Sequence, residues 1–410
     1  MTTRDECLSL DERDPLAPLR DEFLLSDAEI YLDGNSLGPV AKGTQRRVRE
    51  VIDHEWGEGL VRSWNKARWM DAPLALGDRL APMIGAREGE VLVADTLTFL
   101  LAKIIGGALE LRPERHVVIT DAVNFHSDLY IVAGMAQLVG RDIIVKTIDR
   151  NTLHEHLDDD VALVMLTHVD FRTGEMLDLA GITSVVHDVG ALMLWDFAHS
   201  TGAVPVDVTT ADVDFAAGCG YKYLNGGPGA PAFMYVAPRW QGVLRNPLPG
   251  WLGHARPFDF EPTYESAPGM RAYVTSSPSV IALGALDGAL EVFERTTMSQ
   301  VRAKSLALTD LFISLVEEAL PDVFEVVTPR DHARRGSQVA LRHVHGYGVV
   351  QAMIERGVIG DFRAPDICRF GFTPLYLRYV DVYDAVQVLV EVMATSAHLD
   401  EKYAVRLAVT

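Results

Sequence analysis

The segment LWDFAHSTG, residues 194–202, decides the fold class of this chain. It predicts an apolar strand that ends in Asp196, with His199 three residues further on. In an open parallel sheet, ligands bind at the carboxyl ends of strands, which is where Asp196 falls. A buried carboxylate at that place needs a cationic partner, and a protonated ring nitrogen of a bound ligand would serve. The plainer interpretation is that Asp196 caps the next helix and His199 is a core residue.

A second segment, GYKYLNGGPG at residues 220–229, follows downstream. Its lysine, Lys222, lies between aromatic residues and a glycine-rich turn, where glycines permit positive φ and close backbone approach. Lysines are seldom buried without a partner, so a lysine here is a candidate for Schiff-base chemistry. The plainer interpretation is an exposed loop lysine. Together, the two segments favour a reactive amine close to a buried carboxylate.

The surrounding sequence predicts an α/β fold. Short apolar runs without alternation predict buried strands, each followed by a stretch long enough for a crossover helix. These runs lie at residues 91–94, 117–120, 143–145, 162–167 and 192–196, with a further candidate at 230–236. We therefore expect a mainly parallel sheet with helices on both faces.

The sequence pattern changes at about Pro278. Two long amphipathic helices are predicted, followed by a break at Pro321 and a mixed set of shorter elements. The predicted helices lie at 279–295, 298–320, 349–355 and 381–394, and the predicted strands at 324–327 and 338–341. This pattern indicates a smaller α+β domain.

The composition restricts the possible partners of the chain. Its 410 residues include 37 Lys and Arg against 57 Asp and Glu, a formal charge of −20. This acidity argues against nucleic acid as a partner. There is no secretory signal pattern and no uncharged apolar run of the ~18 residues that would span a membrane. The three cysteines are far apart, which fits a cytoplasmic protein, and the histidine pairs at 154/156 and 343/345 lack a third ligand for a metal site.

Six motifs in order resemble the kynureninase family of fold-type-I pyridoxal 5′-phosphate (PLP) enzymes, within the class-V aminotransferase group. The motifs are YLDGNSLGP (31–39), RSWN (62–65), FHSDLY (125–130), GYKYLNGGPG (220–229), GWLGH (250–254) and RFGFTPLY (369–376). The resemblance implies the fold-type-I PLP-dependent transferase fold, with a mainly parallel seven-stranded sheet in a large domain and a smaller α+β C-terminal domain. It implies an N-terminal segment (1–55) packing on the small domain, a large PLP-binding domain (56–285) and a small domain (286–410).

The resemblance also implies roles around the cofactor ring. Lys222 would hold PLP as a Schiff base and move the α-proton of the substrate. Asp196 would pair with the ring nitrogen, with His199 bracing the same pocket. Phe125 would stack on the ring, and Asp128 would form a hydrogen bond near it.

The remaining implied roles concern the phosphate and the substrate. Residues assigned to the phosphate end are Leu97, Thr98, Tyr221, Trp251 and Ser277. Tyr221 is also the implied acid–base residue, so the implied catalytic set is Lys222, Tyr221 and Asp196. Arg369 would clamp the substrate α-carboxylate with two parallel hydrogen bonds, and Ser36 and Trp64 would also bind substrate. A homodimer with shared active sites is implied, with Trp251 and Ser277 as candidates for partner-supplied groups.

The implied reaction is hydrolysis of the Cβ–Cγ bond of L-kynurenine or 3-hydroxy-L-kynurenine, giving L-alanine and anthranilate or 3-hydroxyanthranilate. Four departures from the family pattern leave the preferred substrate open: His126, Asp170, Phe171 and Ser277. Alternatives are a hydrolase of a ring-substituted kynurenine, an aminotransferase or cysteine desulfurase of the same fold, and a non-catalytic binding module.

Overall fold

The computed structural model describes residues 2–406, and its largest element is a seven-stranded sheet. In chain order, the strands of the protein are β1 Ile30–Tyr31, β2 Val91–Ala94, β3 Val117–Asp121, β4 Ile144–Ile148, β5 Val161–Thr167, β6 Leu192–Asp196, β7 Phe215–Cys219, β8 Ala232–Val236, β9 Glu325–Val326, β10 Gln338–Arg342, β11 Val358–Ile359, β12 Asp361–Arg363 and β13 Ile367–Gly371. The large sheet has the order β2-β8-β7-β6-β5-β3-β4. Within it, β8 is antiparallel to both of its neighbours and the other pairs are parallel.

Helices cover both faces of this sheet. The α-helices are α1 Arg4–Asp11, α2 Lys42–Glu50, α3 Ser63–Lys66, α4 Ala72–Leu80, α5 Leu97–Leu111, α6 His126–Leu138, α7 Leu179–Asp188, α8 Val280–Leu290, α9 Met298–Ala319, α10 Gly346–Ile354 and α11 Tyr379–Ala394. Along β5 and β6, alternate side chains enter two different apolar clusters: Leu163 and Leu194 pack with α5, whereas Val164 and Trp195 pack on the opposite face. Both faces of these strands are buried, which is why their sequences are continuously apolar.

The C-terminal part contains a second, antiparallel sheet of order β12-β13-β10-β9. Helices α9 and α11 pack together, and α10 packs against β13. The N-terminal part joins this region, because β1 pairs in parallel with β11 and α1 packs on α11. No helix within residues 2–406 is long and apolar enough to cross a lipid bilayer.

The predicted strands are found, with ends shifted by a few residues, but two expectations are wrong. The segment after β6, residues 197–214, forms turns rather than a crossover helix, and the segment after β4 forms only a 3-10 turn at Arg150–Glu155. The interpretation of Asp196 as a helix cap is therefore also wrong. The sequence does not predict β1, β7, β11, β12 or β13. Strands β1 and β11 have only two residues each, and β7, β12 and β13 contain small or charged residues that lack the apolar pattern of buried strands.

Candidate active site

Lys222 lies in the turn that follows β7, close to the carboxyl ends of the central strands. The turn is tight: Asn225 has a φ of 59° and Gly227 a φ of 86°. The Lys222 Nζ atom lies 2.9 Å from Nε2 of His199. It also lies 5.8 Å from the ring centroid of Phe125 and 5.7 Å from that of Tyr221. The structure therefore brings together four residues that the sequence placed in one site.

Two buried carboxyl groups lie beside this amine. Asp196 ends β6 and accepts a hydrogen bond from the Ala198 N–H at 2.7 Å. Asp128, in the first turn of α6, is fully buried, and its carboxyl group lies near that of Asp196. Burial, together with the charge of Asp196, raises the pKa of Asp128 well above its usual value. Burial also raises the pKa of Asp196, although the charge of Lys222 opposes this. Such a pair favours a cation as its neighbour.

His199 completes the polar floor of the site. Burial, then the charge of Lys222, lowers the pKa of His199 well below its usual value, so its imidazole is neutral at pH 7. Its Nδ1 atom and Oδ2 of Asp128 are buried without a hydrogen-bond partner among residues 2–406. Buried polar atoms are nearly always paired in native proteins, so these two indicate where a ligand makes hydrogen bonds.

Phe125 supplies an aromatic surface above the amine. It is the N-cap residue of α6, and 39% of it remains exposed. Its ring packs edge-on against the buried ring of Phe171, with centroids 5.2 Å apart. One face of Phe125 is thereby held in position to stack on a planar ligand.

An anion can bind at the beginning of α5. Leu97 and Thr98 are its first two residues, and the N-cap residue Thr96 makes no side-chain capping bond. The first-turn N–H groups therefore lack that partner, and a helix N-terminus of this kind attracts phosphate. Thr96 and Ser277 line one cavity of about 260 Å³, and Gly229, at the end of the glycine-rich segment, also lines it.

These features fit pyridoxal phosphate. The carboxyl pair suits the ring nitrogen, Phe125 suits the ring face, and the start of α5 suits the phosphate. The Lys222 amine would bind the aldehyde carbon. The unpaired atoms of His199 and Asp128 mark the polar floor that such a ring would cover.

Arg369 is buried on β13, where it is 1% exposed. Its Nε donates to Asp361 at 2.8 Å, its Nη1 to the Phe171 carbonyl at 2.5 Å, and its Nη2 to Ser36 Oγ at 2.7 Å. Nη2 donates to Asp361 as well. Ser36 thus lies beside Arg369, and the Phe171 backbone links the arginine to the aromatic residues over Lys222.

Trp64 and Trp251 lie together in a different aromatic group. Their ring centroids are 6.4 Å apart, and further contacts join Trp64 to Trp69 and Trp251 to Phe258. In the described part of the chain, neither indole makes a ring contact with the aromatic residues around Lys222. Their predicted roles in phosphate and substrate binding stay predictions.

Sequence reasoning missed Asp361 and Arg363. Both lie on β12, and Asp361 faces Arg369 across the β12–β13 pair. The available signal was the segment DFRAPDICR, residues 361–369, in which a proline-containing turn separates charged residues. Folding that segment as a hairpin places its charges together.

Comparison with known proteins decides the family. The chain matches the kynureninase C-terminal domain over residues 301–389. It is 49% identical to a kynureninase from Burkholderia pseudomallei and 48% identical to one from Pseudomonas fluorescens, with full coverage of all three chains. The chain belongs to the kynureninase family. It is accordingly an enzyme, a PLP-dependent hydrolase.

Solved structures confirm the fold predicted for this kynureninase family member. A cysteine desulfurase from Escherichia coli superimposes with a TM-score of 0.75 at 20% identity, covering 93% of this chain and 98% of that one. A C-DES protein with glycine covalently linked to its PLP cofactor gives a TM-score of 0.78 at 17% identity, covering 90% and 98%. At these identities the likeness shows the fold-type-I architecture alone.

Proposed function

We propose that this chain hydrolyses the Cβ–Cγ bond of L-kynurenine or 3-hydroxy-L-kynurenine. The products are L-alanine and anthranilate or 3-hydroxyanthranilate. The observation that carries this proposal is the 49% identity to a kynureninase over the full length of both chains. The arrangement of Lys222, Asp196 and Asp128 supports it, because a reactive amine lies beside acids suited to a cationic ring.

The reaction adds one water molecule across a carbon–carbon bond. The water oxygen bonds to Cγ, which becomes the carboxylate carbon of the aromatic product. The bonding electrons leave with Cβ, which gains a proton to become the methyl group of alanine. When bound, PLP supplies the electron sink that makes protons at Cα and Cβ acidic.

Lys222 is the residue that moves the proton at Cα. Its Nζ atom contacts His199, and because that imidazole is neutral it leaves the amine free of a competing positive charge. The raised pKa of Asp128 favours its protonated form, so Asp196 would supply the negative charge that pairs with the cofactor ring nitrogen. That pairing would keep the ring nitrogen protonated and strengthen the electron sink.

Tyr221 is the donor to the oxygen on Cγ. Burial, then the neighbouring Cys219 and Asp196, raises the pKa of Tyr221 above its usual value. The phenol therefore stays protonated at pH 7 and can donate a hydrogen bond to a developing oxyanion. Leu97 and Thr98 would hold the phosphate at the start of α5, and Phe125 would stack on the ring face.

Cysteine desulfurase activity is disfavoured by the cysteines of the chain. Cys7, Cys219 and Cys368 are all buried. Burial raises the pKa of both Cys219 and Cys368, which suppresses the thiolate that such chemistry needs. The chain shares its fold with desulfurases but has no exposed cysteine for the sulfur transfer.

The assembly is a homodimer with shared active sites, located in the cytoplasm. Support for the dimer comes from exposed aromatic residues beside Trp251: Phe258 is 57% and Phe260 82% exposed. Exposed aromatic groups of this kind mark protein interaction surfaces. The unpaired cysteines fit a reducing compartment.

The proposal is tested by incubating the PLP-loaded protein with L-kynurenine and with 3-hydroxy-L-kynurenine. The expected result is the aromatic acid and alanine in equal amounts. The variant Lys222→Ala should lose several orders of magnitude in rate. Lys146→Ala, which removes a lysine on the edge strand β4, is the matched control and should retain activity. A bound cofactor without cleavage of either substrate would contradict the proposal.

A further inference from the structure

Arg369 has few donors left for a ligand. A guanidinium carries five N–H groups. Four of them are directed at Asp361 (twice), Ser36 and the Phe171 carbonyl. In its hydrogen-bonding orientation, the Asn35 carboxamide oxygen also accepts from Nε and Nη2 of Arg369. One hydrogen on Nη1 remains, which is too few for a two-point clamp on a carboxylate.

Arg363 lies beside Arg369 and is less fully engaged. Its Nη2 donates to Oδ2 of Asp361 at 2.6 Å and to Ser36 Oγ at 3.3 Å. Its Nε is buried without a hydrogen-bond partner among residues 2–406. About a third of its side chain remains exposed, so a ligand can reach it, whereas Arg369 is almost completely covered.

The charge balance of this group favours an added anion. Arg363 and Arg369 carry two positive charges around the single carboxylate of Asp361. Burial acts to raise the pKa of Asp361, but the two arginines hold it below its usual value, so it stays ionised. Asp33 lies close by, and burial, then repulsion by Asp361, raises its pKa to about 7. Below about pH 7, where Asp33 is mainly protonated, Asp361, Arg363 and Arg369 together leave one uncompensated positive charge.

Both arginines lie near the reaction centre. The charges of Arg369 and Arg363 both lower the pKa of His199, and that of Arg363 also opposes the raised pKa of Tyr221. His199 and Tyr221 contact or adjoin Lys222. A carboxylate held by this arginine pair would therefore lie close to Lys222.

We infer that the substrate α-carboxylate is bound by the pair Arg363 and Arg369 rather than by Arg369 alone. Arg363 supplies donors that Arg369 has committed to Asp361, Ser36 and Phe171. Asp361 is the positioning residue, because it holds both guanidinium groups in one place. The inference rests on the proposed function for the identity of the substrate, but its test does not.

The test measures binding of L-alanine, an α-amino acid with the same carboxylate, by its effect on the visible spectrum of the PLP-loaded protein. Arg363→Gln should raise the dissociation constant of L-alanine by about tenfold to a hundredfold, the usual effect of losing a charged hydrogen bond. Arg363→Lys, which keeps the charge but loses the fork, should give an intermediate value. Ethylamine, which lacks the carboxylate, should bind both proteins equally.

The matched control is Arg342→Gln, which removes a half-exposed arginine of the same small sheet that pairs with Glu325. It should leave L-alanine binding unchanged. If Arg363 serves only to neutralise Asp361, Arg363→Gln will lower the melting temperature yet leave L-alanine binding within twofold of wild type, and the inference is wrong. If the protein cleaves no kynurenine but Arg363→Gln weakens L-alanine binding, the proposed function fails and this inference stands.

Discussion

Asp33, Asp128 and Asp196 are buried acids whose pKa values are raised, and each lies near another acid. Burial alone would favour their neutral forms, and repulsion between neighbouring carboxylates adds to it. Asp128 and Asp196 lie in the proposed cofactor site, whereas Asp33 lies near Asp361 in the proposed substrate-carboxylate site. Burial of these acids lowers the stability of the folded protein at both places, but it prepares the two sites to bind charged groups.

Asp33 gives a pH-dependent prediction. Its folded pKa of about 7 lies above the ~3.9 of an unfolded aspartate, so folding favours the protonated form. Its stabilising contribution is complete below about pH 4 and is lost as the pH rises through about 7. As the pH rises from 4 to 8, we expect the free energy of unfolding of Asp33→Asn to increase relative to that of wild type. The increase should be on the order of a few kcal/mol at most. Urea unfolding at several pH values measures this difference.

The matched control for Asp33 is Asp27→Asn, which alters an almost fully exposed carboxylate. Its stability difference from wild type should stay constant over the same range. A constant difference for Asp33→Asn would show that Asp33 ionises in the folded protein as it does in the unfolded chain.

The loop at residues 170–174 connects the proposed cofactor site to the antiparallel sheet β12-β13-β10-β9. Gln338 on β10 donates to the carbonyl groups of Asp170 and Phe171, and Arg369 on β13 also donates to that of Phe171. The Asp170 carboxylate accepts from the N–H groups of Arg172 and Thr173 and pairs with Arg150, whose side chain is 9% exposed. The loop thereby orients the Phe171 backbone and ring together.

Asp170→Asn should destabilise the protein by about 2 kcal/mol, because Arg150 would keep only Asp121 as a buried charged partner. Burial acts to raise the pKa of Asp170, but Arg150 and the backbone hold it below its usual value. The contribution is therefore present above about pH 4 and lost as the pH falls through the lower folded pKa. Denaturant unfolding at pH 7 and at acid pH should show the deficit shrinking in acid.

Asp158→Asn serves as the control for this loop, since it removes a loose, exposed ion pair with Lys146, while the asparagine Oδ1 can still accept from the Asp160 N–H. It should change stability by less than about 0.5 kcal/mol at either pH. Equal stability of Asp170→Asn and wild type at pH 7 would contradict the role given to the Arg150 pair.

How far the sequence predicts the fold differs from element to element. Strands β3, β5 and β6 are predicted because they are buried on both faces and must be apolar throughout. Strand β7, FAAGC, is equally buried but is built from small residues that lack strand preference. In the site, Asp196 and Lys222 could be found because each lies in a recognisable local motif. Arg363 and Asp361 could not, because their meaning depends on pairing with Arg369 across a hairpin.

At the scale of the whole molecule, the motif at residues 31–39 connects the two sheets. Strand β1 pairs with β11, and Gly371 on β13 donates to the carbonyl of Leu32. At the other end of the motif, the Gly38 N–H donates to the Tyr221 carbonyl at 2.8 Å. A side chain at Gly38 would lie 2.4 Å from the Lys222 carbonyl, so glycine permits this close contact. We propose that the chain is divided into an N-terminal segment (1–55), a large domain (56–285) and a small domain (286–410). In this division, the motif at residues 31–39 connects the two domains.

A shared active site predicts complementation between two impaired variants. Trp251→Ala should have little activity if Trp251 binds the phosphate of its partner's cofactor, and Lys222→Ala should have none. When the two variants are mixed in equal amounts under conditions that exchange subunits, half of the dimers would be hybrids. Each hybrid would have one native site. We expect about a quarter of wild-type activity, measured after light scattering confirms the dimer.

If Trp251 acts within its own chain, no hybrid contains a native site. The mixture would then be no more active than Trp251→Ala alone. A monomer in light scattering would also contradict the shared site.

The proposed function depends on covalent attachment of the cofactor to Lys222, and borohydride reduction measures that attachment. The PLP-loaded protein would be reduced, digested and analysed by mass spectrometry for a peptide that carries the reduced cofactor. We expect one modified lysine, Lys222, and no modification in Lys222→Ala. A cofactor fixed to another lysine, or none fixed although the visible band is present, would show that Lys222 is not the attachment site.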